Sequence, residues 1–199
     1  MLGLWTGPLD FSPSLFQELG ISRQQAFRLL GQEFAYRVER RSLRLALEAA
    51  SQTQTPMVCM AGNRGCIQLH TGPVNTPGAA GPWLHVRGPK FNLQLREDDI
   101  ASAWVVRKPT VYGIVTSLEL FNGDGFCFAQ FSGARKPGKP QLENWKWIAG
   151  SLPRLPSPLP HQAPPLRLSW KDYQRKQWPR TNQGKKADFS LSKTAEPNS

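Results

Sequence analysis
Apolar side chains follow two periods along this chain. Between Ser22 and Ala50 they recur every three or four residues; from Pro56 onward they fall in short runs and alternations broken by Gly, Pro and Asn. Ser22-Arg23-Gln24-Gln25 reads as a capping box, in which the Ser22 hydroxyl and the Gln25 amide each satisfy a free backbone donor. Phe27, Leu30, Phe34 and Val38 then predict one apolar helical face, with Gly31 as a weak point where the helix can end. A second helix is predicted over Ser42 to Ala50 through Leu43, Leu45 and Leu47. Met57 to Met60, a turn at Asn63-Arg64-Gly65, and Cys66 to His70 with Ile67 and Leu69 alternating against polar neighbours read as a β-hairpin. After a Gly- and Pro-rich stretch from Gly72 to Pro82 come strands at Trp83 to Arg87 and Phe91 to Leu95. A helical turn at Asp98 to Ala103 and a strand at Trp104 to Arg107 follow. Thr116 to Phe121, Asn122-Gly123-Asp124-Gly125 and Phe126 to Phe131 carry the strongest hairpin signal, because Asn and Gly tolerate the left-handed conformations of a tight turn. Glu143 to Leu152 closes the body as an amphipathic helix through Trp145, Ile148 and Leu152. Strands joined by short turns are antiparallel, so the expected fold class is α+β: a large antiparallel β-sheet with N-terminal helices and a C-terminal helix packed on it.

Composition and charge divide the chain further. Pro153, Pro156, Pro158, Pro160, Pro164 and Pro165 deny backbone donors to any sheet. The expected organisation is therefore an irregular segment over residues 1–20, a domain over 21–152, and a mostly disordered, Pro-rich basic tail over 153–199. The net charge of +11 splits as +5 over residues 1–152 and +6 over residues 153–199. Trp170, Tyr173 and Trp178 among Lys171, Arg175 and Lys176 are the residue types of a single-stranded nucleic-acid groove, but no predicted fold organises them. Nucleic acid is accordingly not the expected partner. No apolar run approaches the roughly 18–20 residues that span a bilayer, and no Lys or Arg precedes an apolar block in residues 1–20. The expectation is a soluble cytoplasmic protein without membrane insertion.

Candidate chemistry read from single residues is sparse. No catalytic triad, zinc-protease helix, phosphate-binding loop or paired-carboxylate motif is present, so no catalytic residue and no metal ligand is assigned. Cys59, Cys66 and Cys127 lack metal or disulfide spacing and read as buried thiols; His70 and His85 read as satisfied structural imidazoles, and His161 is isolated. Gly62 to Gly65 reads as a hairpin turn, and Glu97-Asp98-Asp99 as an exposed helix start.

Longer blocks say more. VCMAGNRGCIQLHTGPV, GPWLHVRGPKFNLQLRE, WVVRKPT (Trp104–Thr110), TSLELF (Thr116–Phe121) and RKPGKP (Arg135–Pro140), with SRQQAFRLLG (Ser22–Gly31), resemble the cytoplasmic haemin-degrading HemS/HmuS/ChuS family over about residues 20–152. Members of that family contain two related halves, and the resemblance is to the second. It implies a HemS/ChuX-like α+β fold, haem (iron protoporphyrin IX) as the bound group, and a place in haem and iron utilisation and transport. Haem needs an apolar slot, cations for two propionates and usually an axial ligand. Carried over position by position, the cofactor-binding residues are Arg23, Lys108 and Arg135 toward the propionates, with Gln130 adding a hydrogen bond; charge-assisted bonds from Arg suit carboxylates. Ser132 stands where relatives place a tyrosine. Leu9-Asp10-Phe11 stands where the family has its iron-binding His, and residues 1–50 contain no His, so a carboxylate or Leu9 occupies the axial position. That substitution, with the first half absent from this chain, argues for haem binding without efficient haem breakdown.

Two other expectations stand beside this one. The chain is a non-catalytic truncated homologue acting as an interaction protein, its basic tail engaging an acidic partner or nucleic acid. Alternatively, two copies associate as a homodimer that rebuilds the two-half arrangement, because an isolated half leaves an apolar sheet face or edge uncovered.

Overall fold
The computed structural model describes residues 20–156 apart from Arg64 and Pro137. The expectations for the opening segment, Asp10, His161 and the aromatic-basic stretch of the tail lie outside the described residues. Helix α1 (Arg23–Leu29) begins with the capping box: the Gln25 amide N–H donates to Ser22 Oγ at 3.2 Å, and the Ser22 N–H donates to Gln25 Oε1 at 2.7 Å. It stops after two turns, and Ala35–Val38 form a strand, β1, where the spacing predicted more helix. The two faces of β1 are buried in different places: Ala35 lies with Phe27 and Trp104, whereas Tyr36 and Val38 enter the main core. Such a strand lacks the alternation that marks a half-exposed one.

Beyond β1 come α2 (Ser42–Gln52), β2 (Met57–Gly62), β3 (Ile67–Gly72), β4 (Gly78–Ala80), β5 (Trp83–Gly88) and β6 (Phe91–Arg96). A single 3-10 turn (Glu97–Asp99) leads into β7 (Ser102–Thr110), β8 (Gly113–Phe121), β9 (Cys127–Gly133) and α3 (Glu143–Gly150). One antiparallel sheet has the order β1-β7-β8-β9-β2-β3, and a smaller one the order β4-β5-β6. The fold is thus α+β, as expected, with β1 and β4 as strands the pattern did not show. In the β8–β9 turn, Gly125 takes φ +79, Asn122 Oδ1 accepts from the Phe126 N–H at 2.9 Å, and the hairpin closes where the Asn and Gly positions placed it.

Leu43 and Leu47 of α2, Trp145 and Ile148 of α3, and Leu84, Val86 and Leu95 of the small sheet share a core with Leu118, Leu120 and Phe131 of the large sheet. Gly133 is required there. A Cβ on it would lie 2.5 Å from Trp145 Cβ, and Trp145 is fixed by its Nε1–H donating to the Thr116 carbonyl at 2.9 Å. Gly133→Ala is expected to cost about 1–3 kcal/mol by overpacking, read as a lower urea midpoint.

The other face of the large sheet carries α1 and the cluster of Phe27, Trp104, Val106 and Phe121. The two sheet edges differ. Residues 153–155, expected in the tail, run along β1: the Glu39 N–H donates to the Pro153 carbonyl and the Leu155 N–H to the Arg37 carbonyl, each at 3.0 Å. The opposite edge is β3, where Ile67 is 70% and Leu69 61% exposed, so the alternation there points its apolar residues outward. Cys66, beside that turn, is exposed, which corrects the expectation of three buried thiols; Cys59 is buried and Cys127 half-buried. His70 stacks on Phe91 with ring centroids 4.2 Å apart. His70 Nε2 and His85 Nδ1 are enclosed with no hydrogen-bond partner among the described residues, so the expectation of satisfied imidazoles is corrected at these two nitrogens.

Candidate functional site
Strand β8 is buried over most of its length, and Glu119 sits in it at 0% exposure. Across the ladder it faces Trp104 on β7 and Gln130 on β9. Two cations close on it. From the first turn of α1, Arg23 grips it with both prongs of the guanidinium, Nε–H donating to Oε2 and Nη2–H to Oε1, each at 2.8 Å. Lys108, on β7, places Nζ 3.0 Å from Oε1, and the Ser117 hydroxyl donates to the same oxygen at 3.1 Å. Burial alone would push the Glu119 carboxyl up; the charges of Lys108 and Arg23 and their hydrogen bonds reverse this and hold it at about 2. Burial, with the like charge of Arg23 adding to it, holds Lys108 below its ordinary value against the pull of Glu119, whereas for Arg23 the carboxylate outweighs burial and raises it. Cys127 is pushed up to about 12 by burial, with the charge of Glu119 adding to the effect, so its thiol stays protonated. With one carboxylate between two cations, the cluster keeps a net positive charge.

Beside it opens a cleft of about 460 Å³ between the start of α1, the β2–β3 turn and β9. Its walls are apolar, with Met60, Ile67, Phe126 and Phe128, and Arg23 and Gln130 supply polar groups. A volume of this size lies in the range of roughly 300–1,000 Å³ usual for small-molecule sites, and an apolar lining with few placed polar groups is their usual chemistry.

The structure brings together some of the residues named from sequence. Arg23 and Lys108 converge, but on a carboxylate of the protein itself. Gln130 lies directly across the ladder from that carboxylate and lines the cleft. Ser132 faces Ser117 and Val58 in the same rows, on the same side of β9 as Gln130. Arg135 lies past the end of β9, exposed and outside the cleft lining, and Lys108 is outside that lining too, so of the three cations named from sequence Arg23 alone lines the cleft, and Arg135 is not part of the Glu119 cluster. Sequence reasoning missed Glu119. Its signal was a lone carboxylate in TSLELF, a strand otherwise apolar enough to be buried on both faces; such a charge requires cationic partners. Among the described residues, no group of three or more His, Cys, Asp or Glu gathers to hold a metal ion, and no helix is long and apolar enough to cross a membrane.

Residues 20–152 match the haemin-degrading HemS.ChuX domain. The hemin transport protein HmuS of Yersinia pestis is 42% identical over 132 residues, which are 66% of this chain and 38% of that protein. Among solved structures, apo-PhuS, a heme-binding protein from Pseudomonas aeruginosa, is similar with a TM-score of 0.69 at 43% identity, covering 71% of this chain and 42% of its own. ChuS, an Escherichia coli heme oxygenase, gives a TM-score of 0.67 at 41% identity, over 70% of this chain and 42% of its own. The chain therefore spans about two fifths of the length of these relatives, as a single repeat would.

Proposed function
The chain belongs to the haemin-degrading HemS.ChuX domain family, and from that premise we propose that it binds haem in the cleft beside Arg23 and Gln130, serving haem utilisation and transport in the cytoplasm. The observation that carries this reading is the excess positive charge of the Arg23–Lys108–Glu119 cluster at an apolar cleft. A porphyrin presents the matching pair of features, a flat apolar body and two carboxylates. Glu119 gives the site its rigidity: held by two hydrogen bonds, the Arg23 guanidinium cannot swing away, so little is lost in ordering it when a propionate arrives. Gln130, anchored in the centre of the sheet, offers a neutral donor from the adjoining strand. Met60 and Cys127 are the sulfur atoms lining the cleft, and the neutral thiol adds no negative charge to repel propionates. Haem, when bound, supplies a redox-active iron; the chain's own residues bind it, orient it and cover one face.

Hemin titration of the purified protein tests the reading. A saturable Soret shift is expected, and Arg23→Ala should weaken affinity at least tenfold, as loss of about 1.5–3 kcal/mol for a charged contact implies, whereas Arg135→Ala, outside the cleft lining, should change it little. A flat titration overturns it. Asp10→His should add an imidazole and sharpen the spectrum of the complex.

The homodimer reading has its own support in Ile67 and Leu69, which leave an exposed apolar strip on the β3 edge next to the cleft. Sedimentation equilibrium at micromolar concentration decides it: a dimer that Leu69→Lys dissociates is expected, and a monomer at all concentrations removes it.

A further inference from the structure
A second pocket of about 280 Å³ lies between α1, β1 and the segment from Arg154 to Pro156. Phe27 and Trp104 line it, as do Tyr36 and Leu155, so its walls are largely apolar and aromatic. Its charges are all of one sign. Arg28, Arg37 and Arg154 line it, and no Asp or Glu among the described residues does. The Arg37 guanidinium carbon lies 6.0 Å from the Trp104 ring centre, and those of Arg154 and Arg107 lie 4.0 and 5.4 Å from the Tyr36 ring. None of these four arginines forms an ion pair among the described residues.

Two donors in the same place lack acceptors. Trp104 is 3% exposed, and among the described residues its Nε1–H has no partner; neither has the enclosed Nε–H of Arg37, the residue opposite Trp104 across β1 and β7. Enclosed N–H groups are nearly always hydrogen-bonded, and like charges brought together repel. The Glu119 cluster shows how this protein resolves the same conflict elsewhere, by placing a carboxylate between the cations. Among the described residues none does so here, and the group that would resolve both faults is one that brings its own negative oxygens.

We propose that this pocket is a second binding site, taking a small organic carboxylate whose anionic head meets Arg37, Arg154 and Trp104 Nε1 and whose apolar body lies against Phe27 and Tyr36. The guanidinium forks suit the planar head, and the aromatic walls suit a planar body. The volume admits a molecule the size of benzoate and excludes haem, so this site stands independently of the haem reading.

Calorimetry on the full chain with benzoate, and with benzamide as its neutral isostere, tests the proposal. Benzoate is expected to bind, benzamide at least tenfold more weakly. Arg37→Met should reduce benzoate affinity at least tenfold, and Trp104→Phe by a smaller factor. Without ligand, Arg37→Met should melt no lower than the parent, since it removes an uncompensated charge, and benzoate should raise the melting temperature of the parent alone. Should that variant fail to fold, Arg154→Met carries the same expectations for binding. Absence of benzoate binding, equal binding of benzoate and benzamide, or undiminished binding by the folded variants overturns the proposal.

Discussion

Glu119→Gln lowers the stability of the folded protein by about 3–5 kcal/mol in urea unfolding, the usual cost of breaking a buried ion pair from one side. The size follows from what is left behind. Arg23 and Lys108 remain largely buried with no negative partner, and an amide oxygen compensates two charges poorly. Lys108→Met in the parent costs less, because Arg23 still holds the carboxylate with two bonds and Lys108 is already a lysine whose charge burial opposes. Combining Lys108→Met with Glu119→Gln recovers part of the loss, since one of the two stranded cations is gone. A Glu119→Gln variant within 1 kcal/mol of the parent would mean the cluster is solvated in solution, at about the level of surface pairs.

The same carboxylate sets an acid limit. Its folded value of about 2 lies below its ordinary 4.5, so ionised Glu119 contributes stability above pH 4.5 that is lost as the pH falls toward 2. The shift corresponds to about 3 kcal/mol. Urea midpoints measured between pH 6 and pH 2 should fall more steeply for the parent than for Glu119→Gln, whose group at that position does not titrate.

What the sequence made legible was whatever had a local cause. The capping box at Ser22, the Asn122–Gly125 turn and the apolar stripe of α3 are each specified by residues within a few positions of one another. Strand β1 was missed because its two faces are buried against different layers, so its spacing imitates a helix. Ile67 and Leu69 alternate as a core strand would but belong to an edge. The site divides in the same way. Arg23 and Lys108 were reachable through matched blocks, yet the group that joins them depends on helix α1 crossing the sheet at β8, a contact between residues 96 positions apart that no local pattern encodes. Gln130 was reachable for the same reason as Lys108, and its place opposite Glu119 only the strand register reveals.

A fully neutral version of the cluster separates its structural role from its binding role. In Arg23→Met, Lys108→Met and Glu119→Leu combined, all three charges leave together and side chains of similar length fill the space. Buried ion networks replaced in this way often keep or gain stability, by up to about 4 kcal/mol, so the triple variant should unfold at a urea midpoint no lower than the parent. Its hemin affinity, by contrast, should fall at least tenfold, because Arg23, the cation that lines the cleft, is gone with the cluster's excess positive charge, and a charged contact carries about 1.5–3 kcal/mol. The two measurements together discriminate. A stable triple variant that binds hemin as the parent does would remove the propionates from this end of the cleft while leaving Glu119 a purely structural charge. One that loses both stability and binding would show that the network's geometry, rather than its charge, positions α1 over β8.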